Sequence, residues 1–157
     1  MRTREDIESY LMRSNLSFKA VGDGDDEDIW LVRDTSSGEN VVISLTGPLA
    51  LFRVRVMELE GIQRREGLFQ KLLVLNATEM VHGAYGIEEN HIVLTAGLAV
   101  ENLDYNEFQG VVDDITLALT NHYEIQLDPA GRERAIRQRV RFLCRVAHRA
   151  GGAAGAE

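Results

Sequence analysis

Cysteine is almost absent: Cys144 stands alone in 157 residues. An internal disulfide framework is therefore excluded, and a reducing compartment, the cytoplasm, is the expected home. No run of 18 apolar residues offers a membrane span. The opening Met1-Arg2-Thr3-Arg4-Glu5-Asp6 has none of the apolar core of a secretory signal. Catalytic and cofactor patterns are missing as well. Gly22 and Gly24 lack the third glycine of a dinucleotide loop, because Glu27 stands there. Gly61 and Gly67 are one residue too widely spaced for a phosphate loop, and no Lys-Ser/Thr pair follows.

Ionisable side chains give no better constellation. His82, His91, His122 and His148 pair with no His, Cys or carboxylate at zinc-ligand spacing. His122 is expected as a satisfied core histidine, and Cys144 as a small core residue. Asp23, Asp25, Glu27 and Asp34 match calcium-loop positions one, three, five and twelve. Asp28 occupies the place where the sharp turn needs glycine, so an acidic, solvated turn is expected there. Asp113 and Asp114 are neighbours on a helix and diverge by about 100°, too far to share a substrate. No catalytic residue, metal ligand, cofactor or small-molecule substrate is assigned, and no enzyme is expected.

What is present is ordinary globular composition, 45% apolar and 27% charged. The length suits one domain, and a chain of this size buries about 68–70% of its unfolded surface. The net charge of −8 hides an asymmetry. Residues 1–128 hold 10 Lys/Arg against 23 Asp/Glu, a net of −13, whereas residues 129–157 hold 7 Arg against 2 Glu, a net of +5. An acidic body repels nucleic acid and anionic lipid, while the basic segment attracts either or, as expected here, docks on its own body or on a partner copy's body.

Periodicity supplies the organisation. Thr3 with Asp6 makes a capping-box start, Ile7, Tyr10 and Leu11 recur at helical spacing, and Asn15 ends this first helix. Ser17 to Val21 adds a short extended piece. Strands follow at Ile29–Val32, Val41–Leu45 and Leu51–Glu58, joined by the turn cluster at 35–40 and by Thr46-Gly47-Pro48, as a meander of three antiparallel strands. Leu68, Phe69, Leu72, Leu73 and Asn76 give a second helix. A hairpin turns at Glu89-Asn90 between Tyr85–Glu88 and His91–Thr95. Phe108, Val111, Val112, Ile115, Leu119 and His122 trace a third helix. The expected class is α+β in the order α-β-β-β-α-β-β-α, an antiparallel sheet with helices on one face. Residues 1–128 form this domain, residues 129–150 an appended basic amphipathic helix, and residues 151–157 a low-complexity, disordered tail.

Two surfaces carry candidate roles. Strand alternation places Leu51, Arg53, Arg55 and Met57 on one face of the third strand. An apolar strip interrupted by cations suits an amphipathic polypeptide, since apolar contact gives affinity and charge sets register. On the basic helix, Ile136, Val140, Leu143 and Ala147 form a narrow stripe suited to a two-helix seam, as a dimer or arm interface.

Short motifs in the second half resemble a known group. Leu72-Leu73-Val74-Leu75-Asn76, then Gly83-Ala84-Tyr85-Gly86-Ile87, then Ile92-Val93-Leu94, then Leu98 to Asp104 with Glu107-Phe108, are similar to the YbjN family and, more distantly, to class I type III secretion chaperones of the CesT type. The resemblance spans about residues 3–127. Its residues also have structural readings. Asn76 can close a helix in left-handed geometry, Asp104 with Glu107 can cap the third helix, and Leu103 can staple onto Phe108.

The resemblance implies a non-enzymatic, acidic, bacterial protein that forms a homodimer and binds a client polypeptide in extended form. The leading expectation is thus a chaperone-like protein-binding module with Leu51, Arg53, Arg55 and Met57 on its client face. The alternative is a regulatory or structural homodimer of the YbjN type with no chaperone client. Nucleic-acid binding by the Arg-rich helix is a distant third, because its arginines surround the helix and only Phe142 is available for stacking.

Overall fold

The helix signals act where they stand in the chain. Asp6 accepts a hydrogen bond from the Thr3 N–H at 2.9 Å, and α1 (Arg4–Arg13) follows. Ile7, Tyr10 and Leu11 form its buried stripe, and Asn15, at φ +55°, reverses the chain after it. Asp104 and Glu107 form a reciprocal capping box that opens α3 (Tyr105–Asn121), with bonds of 2.9 and 3.1 Å. From there Phe108, Val111, Ile115, Ala118 and Leu119 bury one face. A computed structural model describes residues 3–21, 28–34 and 40–122, and the structural statements concern these. They belong to one compact unit, Met1–Tyr123.

Between the two capped helices run β1 (Ser17–Ala20), β2 (Asp28–Arg33), β3 (Asn40–Thr46), β4 (Leu49–Glu58), α2 (Arg65–Thr78), β5 (Gly83–Glu88) and β6 (His91–Ala99). The strands make one antiparallel sheet in the order β1-β2-β3-β4-β6-β5. The expected three-stranded meander therefore gains a fourth member, because Ser17–Ala20 pairs with β2. Gly47 makes the tight β3–β4 reversal possible: its φ of +56° lies in the left-handed region that a side chain would strain.

The core lies between the sheet and the capped helices. One cross-sheet row runs Ala20, Trp30, Ile43, Phe52, Ala96, Gly83, and the next pairs Phe18 with Val32 and Leu94 with Tyr85. Phe52 and Tyr10 both pack on Phe108, with ring centroids 5.4 and 5.5 Å apart. The buried Tyr10 hydroxyl donates to the Leu103 carbonyl at 3.2 Å. Trp30 is wholly buried and satisfies its indole N–H on Glu8 at 3.1 Å, while Arg4 bridges Glu8 and Asp28 above it. Asp34, also buried, accepts from the Thr116 hydroxyl at 2.8 Å.

Two expectations are corrected or lie elsewhere. Asn76 does not close a helix in left-handed geometry, for α2 continues to Thr78 and ends without a positive φ. The basic helix over 129–150, with Ile136, Val140, Leu143 and Ala147, the tail at 151–157, and Cys144 lie outside the described residues. So does the segment Asp23 to Glu27 of the acidic turn. Among the described residues no helix is long and apolar enough to cross a membrane, and no group of three or more His, Cys, Asp or Glu is placed to hold a metal ion.

Candidate functional site

The sheet face opposite the core collects the cations of the strands. Cross-strand pairing lines up Lys19, Leu31, Val42, Arg53, Thr95 and Ala84 in one row. Arg33 pairs with Ser17, and Arg55 with Val93, on the same face. A further row, Ile29, Ser44, Leu51 and Gly97, is apolar or small. Arg53 reaches across β6 to Glu88 on β5 at 2.8 Å. The register sets Val93 of β6 between Arg55 and Gly86, and Val93 is only 4% exposed despite its place on this face.

Leu51, Arg53 and Arg55 share this face as the alternation predicted, but Met57 does not. A bulge between Arg55 and Met57 leaves Val56 unpaired and sets Met57 opposite Ile92. Ile92 is in phase with Leu94 and Ala96, so Met57 turns with them toward the core face. Strict alternation cannot foresee the extra residue.

The two edges of the sheet differ in kind. At β5 side chains take up the outward N–H of Gly83 and both outward backbone groups of Tyr85. The Tyr85 N–H donates to the Asn76 Oδ1 at 2.7 Å, and the Asn76 amide donates back to the Tyr85 carbonyl at 3.0 Å. Asp114 accepts from the N–H groups of Val81, His82 and Gly83 at 3.3, 2.9 and 3.2 Å. At β1 the Val21 N–H donates to the Ile29 carbonyl at 2.9 Å, which fixes the phase of the ladder. Ser17 and Lys19 point their backbone groups at β2, and Phe18 and Ala20 point theirs away from the sheet. Among the described residues nothing bonds to those outward groups. Side chains thus occupy the β5 edge at Gly83 and Tyr85, whereas among the described residues none occupies the β1 edge.

A buried polar cluster closes the corner beside β5. The Tyr85 hydroxyl lies 2.6 Å from His122 Nδ1, and His122 Nε2 lies 3.1 Å from Glu79. Burial, reinforced by Asp114 and Glu79, pushes the Tyr85 hydroxyl above its ordinary range, so it stays protonated. With the imidazole proton on Nε2, the phenol donates to Nδ1 and the Nε2–H donates to the Glu79 carboxylate. His122 is the satisfied core histidine that its helical spacing implied, and it bolts the end of α3 to β5 and to the residue after α2.

The residues at the open edge, Phe18, Lys19 and Ala20, and the neighbouring Arg33 on β2 carry no signal of this role in the sequence. A four-residue extended piece with one lysine is a recognisable edge signal only once the sheet order is known. Exposed apolar side chains mark a second surface: Leu73 and Val74 on α2 are 66% and 53% exposed, and Val81 and Leu117 are exposed as well.

Three comparisons bear on this arrangement. The family model CesT_Tir_1 matches residues 1–130. Comparison with curated proteins finds no match. Among solved structures, YbjN of E. coli, proposed to be a transcription regulator, is similar with a TM-score of 0.60 and 16% identity, covering 80% of this chain and 94% of that one. The heterodimeric ExoU–SpcU complex of the Pseudomonas aeruginosa type III secretion system gives 0.59 at 15% identity, covering 76% and 97%. The HopA1–SchA chaperone–effector complex gives 0.53 at 10% identity, covering 83% and 92%. These likenesses establish the shared α+β fold.

Proposed function

Since the chain belongs to the CesT_Tir_1 family, we propose that it is a non-enzymatic, chaperone-like protein that holds an extended segment of a client polypeptide in the cytoplasm, taking that segment as a seventh strand beside β1. The carrying observation is the asymmetry of the edges. Main-chain hydrogen bonds supply affinity for any extended chain, and Phe18 and Ala20 offer four outward groups with no partner among the described residues. At the β5 edge side chains already hold the Gly83 N–H and both backbone groups of Tyr85. Two of the similar folds come from complexes of two different proteins, which supports this reading. Leu51 and Arg55, on the open face, are proposed to hold client residues flanking the added strand.

The test uses a proline at the edge. Ala20→Pro removes an N–H that points away from β2, so the β1–β2 ladder keeps its bonds while the outward edge loses a donor. The probe is a permanently unfolded polypeptide, reduced and carboxymethylated α-lactalbumin. Wild-type protein is expected to form a complex on size exclusion and to gain amide protection in β1. Ala20→Pro should lose both with its melting temperature nearly kept. Undiminished complex formation by Ala20→Pro would remove β1 as the site. The similarity to YbjN favours a second reading, a regulatory homodimer without a client, for which wild-type protein would leave the unfolded probe unbound.

The homodimer is proposed to form through α2. Leu72 and Leu75 are buried while Leu73 and Val74, on the same helix, face solvent, so both sides of α2 are apolar. Leu73→Asp is expected to convert a dimer to a monomer by light scattering with little change in melting temperature. Truncation after residue 128 tests the competing seam of Ile136, Val140, Leu143 and Ala147: a retained dimer favours α2, and a monomer favours the seam.

A further inference from the structure

We infer that the β1 edge selects a segment in which apolar and acidic residues alternate. This rests on the strand-addition reading and adds the chemistry of the partner. A strand laid beside β1 sends every second residue to the core face, next to Phe18 and Ala20, which continue the rows of Val32 and Trp30. Small or apolar side chains fit there. The residues between them emerge on the opposite face, next to Ser17 and Lys19. Lys19 is exposed and stands directly in the row, opposite Leu31. Arg33 lies one strand further in, opposite Ser17, and over so small a neighbour a guanidinium can reach the edge.

Neither Lys19 nor Arg33 has an ion-pair partner among the described residues. The carboxylates on that face, Glu58 and Glu88, belong to β4 and β5; Glu88 pairs with Arg53 at 2.8 Å, and Glu58 lies 3.6 Å from His91 Nε2. Asp28, the strand carboxylate near β1, is turned to the helix side and held by Arg4 at 2.8 Å. Among the described residues the open face at this edge is therefore cationic, with no carboxylate paired to Lys19 or Arg33. Opposite charges across neighbouring strands stabilise the pairing and like charges oppose it. The same lysine disfavours pairing between two copies of β1, whose cations would meet. Lys19 thus excludes the chain's own edge and admits an acidic one.

The test uses three fluorescent nine-residue peptides read by anisotropy at low and high salt: alternating Val and Glu, alternating Val and Lys, and a block peptide with all its Val before all its Glu. The Val/Glu alternation is expected to bind tightest, by about fivefold or more over the Val/Lys alternation, as a cross-strand ion pair allows. The advantage should shrink at high salt. The double variant Lys19→Glu, Arg33→Glu should reverse the preference, and Ala20→Pro should abolish binding of every peptide. Equal binding of the two alternating peptides, still lost in Ala20→Pro, would overturn the charge selection and leave strand addition standing. Equal binding of the block peptide, indifferent to Ala20→Pro, would overturn both, as would no binding by any peptide. Peptide displacing a β1–β1 pair of two copies, seen as a halved mass, would overturn the exclusion of the chain's own edge.

Discussion

Replacing Phe108 with alanine is expected to remove about 3–5 kcal/mol of folding stability, the usual range for a fully buried phenylalanine. Phe108 is wholly inaccessible and sits in the first turn of α3, packed against Phe52 from the sheet and Tyr10 from α1. Its loss opens a cavity where three elements meet, and backbone collapse is resisted on each side by a capped helix or a central strand. Native proteins are stable by only about 5–15 kcal/mol, so the variant should unfold at a much lower urea concentration. Phe108→Leu should recover most of the loss. A midpoint unchanged within error would show that this cluster is not the centre of the core.

Opening the β5 edge at Tyr85 is expected to have the second large effect. Asn76→Ala deprives the Tyr85 N–H and C=O of both partners at once. Leaving a buried backbone group unsatisfied costs about 1–3 kcal/mol, and here an outward-facing strand is also exposed to pairing. The variant should melt earlier and form concentration-dependent oligomers on light scattering, while Ala20→Pro, which blunts the other edge, should not. Asn76→Asp separates the two hydrogen bonds: it keeps an acceptor for the Tyr85 N–H and sets a carboxylate against the carbonyl. An Asn76→Ala protein that stays at its native mass at all concentrations would show that α2 itself, rather than the amide, covers the edge.

The sequence made most of the scaffold legible, for physical reasons that differ between elements. α1 and α3 announce themselves because capping chemistry is local: Thr3 with Asp6 and Asp104 with Glu107 need no distant partner. The hairpin turn at Glu89 is equally local, with φ +52° at that residue. The extension of β6 from Ala96 to Ala99 was not legible, since Ala96, Gly97 and Ala99 carry little strand preference and owe their place to pairing with Leu49–Phe52. β1 was visible as extended chain, yet its role as an edge depends on which strand lies beside which. Asn76 was read for its backbone and serves through its side chain. Met57 was placed by alternation and turned away by a bulge. The proposed site depends on the outward side of a short strand, which local sequence pattern does not reveal.

The bulge at Val56 separates chain length from registration in β4. On either side of it the partners are fixed, Arg55 with Val93 and Met57 with Ile92, and these two partners are adjacent in β6. Excising Val56 would join Arg55 directly to Met57 and leave every remaining cross-strand neighbour unchanged. A deletion inside a central strand, ordinarily ruinous, would here straighten the ladder and relax the local coiling of the sheet.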